Sequence, residues 1–219
     1  MKSQFQIKVC GLTRLNQIKE LIDLKVDFLG FIFYERSPRY VLNHLSLEQI
    51  SEINHQAKVG VFVNEDLDRI IEISEQAKLN LIQLHGDETE NYILELRQKL
   101  NPEIGIIKVI RIGNQTENLE SKIHQLKYKI DYLLFDTDSQ AFGGTGKTFD
   151  WNILNDIDIP IPYFLSGGIS LENVADLKNI NQKPTALDIN SKFEIEAGNK
   201  NIGKIKELLS LIKNAKSSI

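Results

Sequence analysis

VGVFVNEDLDRIIEISEQAKLNLIQLH, residues 59–85, carries two hydrophobic periods in one span. Val59–Val63 and Leu81–His85 are short apolar runs with the length and composition of buried strands. Between them Leu67, Ile70, Ile71 and Ile73, with Ala77, recur at three- and four-residue spacing, the stripe of an amphipathic helix. Asn64-Glu65-Asp66 stands where a cap and an acidic first turn belong. Strand, helix and strand in that order predict a parallel pair joined by a crossover.

The same unit repeats on both sides. Phe5–Cys10 and Phe28–Phe33 precede it; Ile104–Ile110, Tyr132–Asp136, Tyr163–Ser166 and Ala186–Ile189 follow. Ile202, Ile205, Leu208, Leu209 and Ile212 close the chain with a second clear helical stripe. About eight alternations of strand and helix predict an α/β fold, a single (β/α)8 TIM barrel spanning 1–219. A doubly wound open sheet is the rival. It usually places a glycine-rich loop after its first strand, and Cys10-Gly11-Leu12-Thr13 offers one glycine there. No Pro/Gly/Ser-rich linker divides the chain.

With 42% hydrophobic and 26% charged residues in 219, the chain has ample material for a core and is not a disordered one. A net charge of −4 without a basic stripe argues against nucleic acid as a partner. The single cysteine, Cys10, excludes an internal disulfide and a cysteine-rich zinc site. The longest uncharged stretch, near Ile159 to Leu171, is too short for a membrane helix and contains two prolines. MKSQFQIKVCGLT lacks the apolar core and cleavage site of a signal peptide, so the expected location is cytoplasmic.

In such barrels chemistry sits where strands end. The residues placed there are Cys10, Arg39, His85, Asp136, Ser166-Gly167-Gly168 and Asp188. Strand parity turns Phe5, Ile7 and Val9 towards the helices and leaves Lys8 and Cys10 pointing into the barrel. Asp136 shares an inward face with Tyr132 and Leu134. A lone cysteine is commonly a small buried hydrophobe. Lys8, two residues back on the same face, would instead favour a thiolate. Asp136 is either an acid at the mouth or a loop-capping carboxylate, with Asp138 as its neighbour and competitor. A carboxylic acid and a thiolate across one pocket suit proton transfer in both directions.

Gly167 and Gly168 after the seventh strand, with Asn190 and Ser191 after the eighth, match the usual phosphate cradle of barrels. The alternative is a plain tight turn. Ser170-Leu171-Glu172-Asn173 offers a cap for a following helix. Phe142-Gly143-Gly144-Thr145-Gly146-Lys147-Thr148 resembles a nucleotide-binding P-loop, but Ala141 occupies the position of its first glycine. A glycine-rich loop closing over the barrel mouth is the better reading.

In combination these pieces resemble the phosphoribosylanthranilate isomerase family. The blocks are KVCGLT (8–13), the stretch from Phe33 through SPRYV (37–41), QLHGDE (83–88), FDT (135–137) and FGGTGKTFDW (142–151). LSGGI (165–169), Glu172-Asn173-Val174 and Ala186-Leu187-Asp188 complete the set, in the family's order over nearly the whole chain. The resemblance implies a monofunctional barrel without metal or cofactor. It implies an Amadori rearrangement of N-(5-phosphoribosyl)anthranilate in tryptophan biosynthesis, with Asp136 as general acid and Cys10 as general base. Arg39 would hold the anthranilate, His85 would contact substrate, and Asp188 would lie near the sugar or amine. The implied partner is this small phosphorylated substrate, and the implied assembly a monomer or homodimer.

One departure stands out. Relatives often carry a Ser-Gly pair after the eighth strand, where this chain reads Asn190-Ser191-Lys192-Phe193. Lysine makes positive φ uncommon, so Lys192 is expected in an ordinary backbone well, solvated or beside the phosphate. Two alternatives of other kinds remain, and Cys10 argues against the first. A histidine-pathway Amadori isomerase would use two aspartates, and a non-catalytic phosphate-binding barrel would need neither Cys10 nor Asp136.

Overall fold

Each of the eight apolar runs forms a strand, because residues buried on both faces can satisfy their backbone only through parallel neighbours. The computed structural model describes residues 5–113, 118–137 and 149–214. The strands are β1 Gln6–Val9, β2 Phe28–Ile32, β3 Lys58–Phe62, β4 Leu81–Leu84, β5 Gly105–Ile112, β6 Tyr132–Thr137, β7 Tyr163–Leu165 and β8 Ala186–Ile189. They pair in sequence order as a closed parallel barrel. Closure comes from β1 on β8, in a register that sets Gln6 opposite Ala186 and Lys8 opposite Asp188.

Parity sorts the side chains. Ile7, Val9, Leu29, Phe31, Leu133, Phe135, Leu165 and Leu187 face outward into the layer shared with the helices. Phe28, Val59, Leu81, Ile107, Leu134, Phe164 and Ala186 fill the lower interior. There the Phe164 ring lies 4.9 Å from Phe28 and 5.1 Å from Tyr132, centroid to centroid, in the tilted geometry aromatic pairs prefer.

The helices are α1 Leu15–Asp23, α2 Leu47–Ser51, α3 Leu67–Gln76, α4 Glu90–Lys99, α5 Leu119–Leu126 and α6 Ile202–Asn214. Within the Asn64-Glu65-Asp66 stretch read as cap and first turn, Asp66 is the cap of α3, accepting from the Asp68 and Arg69 N–H groups. Ser46 and Gln49 form a reciprocal capping box on α2. Among the described residues no helix is long and apolar enough to cross a membrane.

The regular alternation weakens in the last third. After β6 and β7 the described residues form 3-10 turns, Trp151–Asp156 and Val174–Asn179, where helices were expected, and a third, Ser191–Phe193, precedes the expected closing helix α6. The first two stretches are dense in Asn and Asp, whose side chains compete for backbone hydrogen bonds, and Pro160, Pro162 and Pro184 interrupt the chain beyond them. Asn173 does not cap a helix with its side chain. Its Oδ1 accepts from Ser170 N–H at 2.8 Å, and its Nδ2 donates to the Gly168 carbonyl at 3.0 Å.

A short hairpin that the periodicity did not announce comes after β8. Its strands, β9 Glu194–Glu196 and β10 Asn199–Lys200, are antiparallel. It docks on the start of the chain. Thr13 Oγ1 donates to the Gly198 carbonyl, and Gln17 both donates to and accepts from the Lys200 backbone.

Candidate active site

At the C-terminal mouth, strand ends remote in sequence converge on one pocket that includes Cys10, His85, Asp136, Asp188 and Asn190, walled by Ile32, Val61 and Tyr34. Cys10 reaches it because β2 carries a glycine beside it. A Cβ at Gly30 would lie 2.9 Å from Cys10 Cα and 3.0 Å from its Sγ, closer than side chains tolerate. Lys8, one layer below, is fully buried and donates from Nζ to Asp188 Oδ1 at 2.9 Å.

That pairing corrects one expectation. Lys8 does pull the Cys10 thiol towards ionisation, but burial acts more strongly and pushes it above its ordinary value, with the Asp188 carboxylate adding to the rise. Burial likewise raises the Asp188 carboxyl, opposed by Lys8. Burial alone would lower the Lys8 ammonium, yet Asp188 and Cys10 together hold it above the usual lysine value. Burial thus disfavours the thiolate at Cys10.

Asp136 sits at the end of β6, half-buried. Its Oδ1 accepts from the Thr137 N–H at 2.8 Å, which orients the carboxyl, and its Oδ2 lies 3.3 Å from His85 Nε2. The other His85 nitrogen, Nδ1, is 3.0 Å from Gln83 Nε2. Asp138 and the 142–148 loop lie outside the described residues.

Gly167 and Gly168 both adopt positive φ, 81° and 73°. A Cβ at Gly167 would also lie 2.5 Å from Thr137 Oγ1, so this turn needs glycine for space as well as for backbone. Ser191 and Lys192 lie in the 3-10 turn that begins after Asn190, and Lys192 is exposed. Its φ is not positive, so its backbone is in an ordinary well.

Arg39 is half-buried beside the mouth. Its Nε donates to both Glu194 oxygens at 3.0 Å and its Nη2 to Oε2 at 2.6 Å, leaving Nη1 unengaged among the described residues. Glu194 also accepts from Lys200 Nζ at 2.6 Å, and that ammonium donates to Asn190 Oδ1 at 2.7 Å. Burial would raise the Glu194 carboxyl, but Arg39 and Lys200 hold it below its usual range. Sequence reading missed both Glu194 and Lys200. Charged residues in a polar C-terminal stretch look like solvated surface, and only Gly198 between two short runs hints at a hairpin. One His–carboxylate group among the described residues has metal-compatible spacing, Glu120, His124 and Asp158; it is exposed and shares no residue with the mouth.

The family model for N-(5'-phosphoribosyl)anthranilate isomerase matches residues 7–210. A protein of that name from Parabacteroides distasonis is 38% identical over 94% of this chain and 92% of its own length. One from Caldanaerobacter subterraneus subsp. tengcongensis is 37% identical over 95% and 98%. The crystal structure of phosphoribosyl anthranilate isomerase from Thermotoga maritima superposes with a TM-score of 0.80 at 32% identity, covering 96% of this chain and all of that one. Another, a complex with reduced 1-(o-carboxyphenylamino)-1-deoxyribulose 5-phosphate, gives 0.74 at 30% identity over 98% of this chain and 100% of its own. Barrel, mouth and relatives agree, and the chain belongs to the N-(5'-phosphoribosyl)anthranilate isomerase family.

Proposed function

We propose that this chain converts N-(5-phosphoribosyl)anthranilate to 1-(2-carboxyphenylamino)-1-deoxyribulose 5-phosphate, with Cys10 as general base and Asp136 as general acid. The observation that carries the reading is that Cys10 and Asp136 line the same pocket from β1 and β6, strands on opposite sides of the barrel. Asp136 gives its proton to the ribose ring oxygen as the C1–O bond breaks, and the anilino nitrogen lone pair forms the iminium. Cys10, as thiolate, removes the C2 proton, which the adjacent iminium has acidified. The electrons left behind give an enolamine, and its tautomerisation gives the ketone.

The raised thiol fits this order. Burial favours the protonated thiol at Cys10. The positive charge of the iminium, formed within the pocket, favours release of the thiol proton to solvent at the mouth and leaves the thiolate as base for C2. Lys8 holds the Asp188 carboxylate in place beside the sugar or amine, and His85 supports the carboxyl of Asp136. Arg39, clamped by Glu194 along one edge, offers Nη1 to the anthranilate carboxylate. The Gly167 and Gly168 turn, with Asn190 and Ser191, holds the phosphate through backbone N–H groups. The enzyme acts in the cytoplasm as a monomer or homodimer on this small-molecule substrate.

Two experiments test the reading. The purified chain should abolish the fluorescence of phosphoribosylanthranilate with saturation kinetics, and its gene should restore growth without tryptophan to a strain lacking this isomerase. A folded chain that does neither overturns the assignment.

A further inference from the structure

We propose that Gln83 is a positioning residue for Asp136: its side-chain amide, donating to His85 Nδ1, keeps the ring proton on Nε2, the nitrogen that faces the Asp136 carboxyl. The inference rests on the assignment of Asp136 as general acid. Gln83 is on the inward face of β4, 1% exposed, with Val61 and Ile107 as its register neighbours. A primary amide among apolar side chains is unfavourable unless its polar atoms are bonded. One is bonded, Nε2 to His85 Nδ1 at 3.0 Å. The other, Oε1, is buried and has no hydrogen-bond partner among the described residues. Methionine would fill the same space with no orphaned oxygen, so packing does not account for the amide.

An amide has two settings, related by a half turn about its last side-chain bond. With Nε2 towards the ring, Nδ1 accepts and the ring proton sits on Nε2, 3.3 Å from Asp136 Oδ2. That setting suits a carboxylate. With Oε1 towards the ring, Nδ1–H donates to the amide and Nε2 presents a lone pair, which suits a protonated Asp136. Asp136 must pass through both forms in every turnover, giving its proton to the ring oxygen and regaining one afterwards. With Nε2 of the amide held towards the ring, an N–H stays on the Asp136 side to receive the carboxylate left when its proton has gone to the ring oxygen, and no proton moves at Gln83 or His85. The titratable groups around the ring are Asp136 from β6, Asp188 from β8 with its partner Lys8 from β1, Cys10 at the end of β1, and Tyr34 after β2.

Two variants separate the roles. Gln83→Met keeps the length and removes both polar atoms; Gln83→Glu keeps an acceptor and removes the donor. Nitrogen-15 spectra of the His85 ring at mildly alkaline pH should show the proton on Nε2 in the wild type and on Nδ1 in Gln83→Glu. In both variants kcat should fall about tenfold or more, with a shifted pH profile and KM within about twofold. A residue that only packs would change stability while leaving the ring nitrogens and the kcat–pH profile as in the wild type, and that result overturns the proposal. If neither variant folds, the wild-type spectrum decides alone: a ring protonated on Nδ1 and bare on Nε2 at mildly alkaline pH overturns it. The spectra need no substrate. A chain that shows them yet does not isomerise phosphoribosylanthranilate overturns the proposed function and not the coupling of Gln83 to His85.

Discussion

The floor and the mouth of this barrel are built from the same strands with the same alternation, yet they hold opposite kinds of residue. At the floor, Phe28, Leu81, Ile107, Leu134 and Phe164 interdigitate as a dry plug. At the mouth, further along the strands, the inward positions become Cys10, Gly30, Gln83, Asp136 and Asp188. The floor fixes the spacing of the strands. The mouth uses that spacing to hold a buried ion pair, a thiol and an orphaned amide that would not be stable on a flexible frame.

The sharpest way to break this division is at the floor. Phe164→Ala removes a ring packed on two others and should cost about 3–5 kcal/mol of stability in urea unfolding, while kcat of the folded fraction stays close to that of the wild type. Loss of kcat without loss of stability would mean that floor and mouth are not separate.

Gly30→Ala probes the boundary between the two layers. Its new Cβ would press on the Cys10 backbone and Sγ, so Cys10 is displaced. Turnover should fall about tenfold to a hundredfold, or about 1.4–2.7 kcal/mol of barrier. Unchanged kcat would show that the thiol position is not critical.

A smaller effect is expected from pH at the rim. Folding holds the Glu194 carboxyl below its ordinary value of 4.5. As pH falls through that value, the unfolded chain takes up a proton before the folded one does. The stability contributed by Glu194 is therefore complete above this range and is lost as pH drops through the folded value. Glu194→Gln should flatten this part of the acid slope in unfolding measurements; an unchanged slope would place the acid sensitivity elsewhere. The smallest effect belongs to Lys192, whose exposed side chain predicts that Lys192→Met leaves KM and its salt dependence unchanged.

The strands were legible because burial writes itself as short apolar runs. All eight appear within a residue or two of their expected positions, and the inward turn of Lys8 and Cys10 followed from parity alone. The 3-10 turns after β6 and β7 were not legible, because in Asn-rich stretches side chains compete with the backbone and apolar spacing carries little weight, whereas the closing helix α6 was read from its stripe. Gln83 lay hidden inside an apolar run, where a single polar residue changes no periodicity. Glu194, Lys200 and the Arg39 clamp were invisible for another reason. Their pairing depends on a hairpin folding back across most of the chain length onto α1, and local sequence holds no record of that contact.

The central claim, that thiol and carboxyl divide the proton transfers between them, is tested most directly by turnover in Cys10→Ala and Asp136→Asn, with binding of reduced 1-(o-carboxyphenylamino)-1-deoxyribulose 5-phosphate measured alongside. Each variant should bind this analogue nearly as the wild type does and lose about 10²–10⁴ in kcat for phosphoribosylanthranilate. Either variant retaining most of its turnover, with the analogue still bound, would contradict the account.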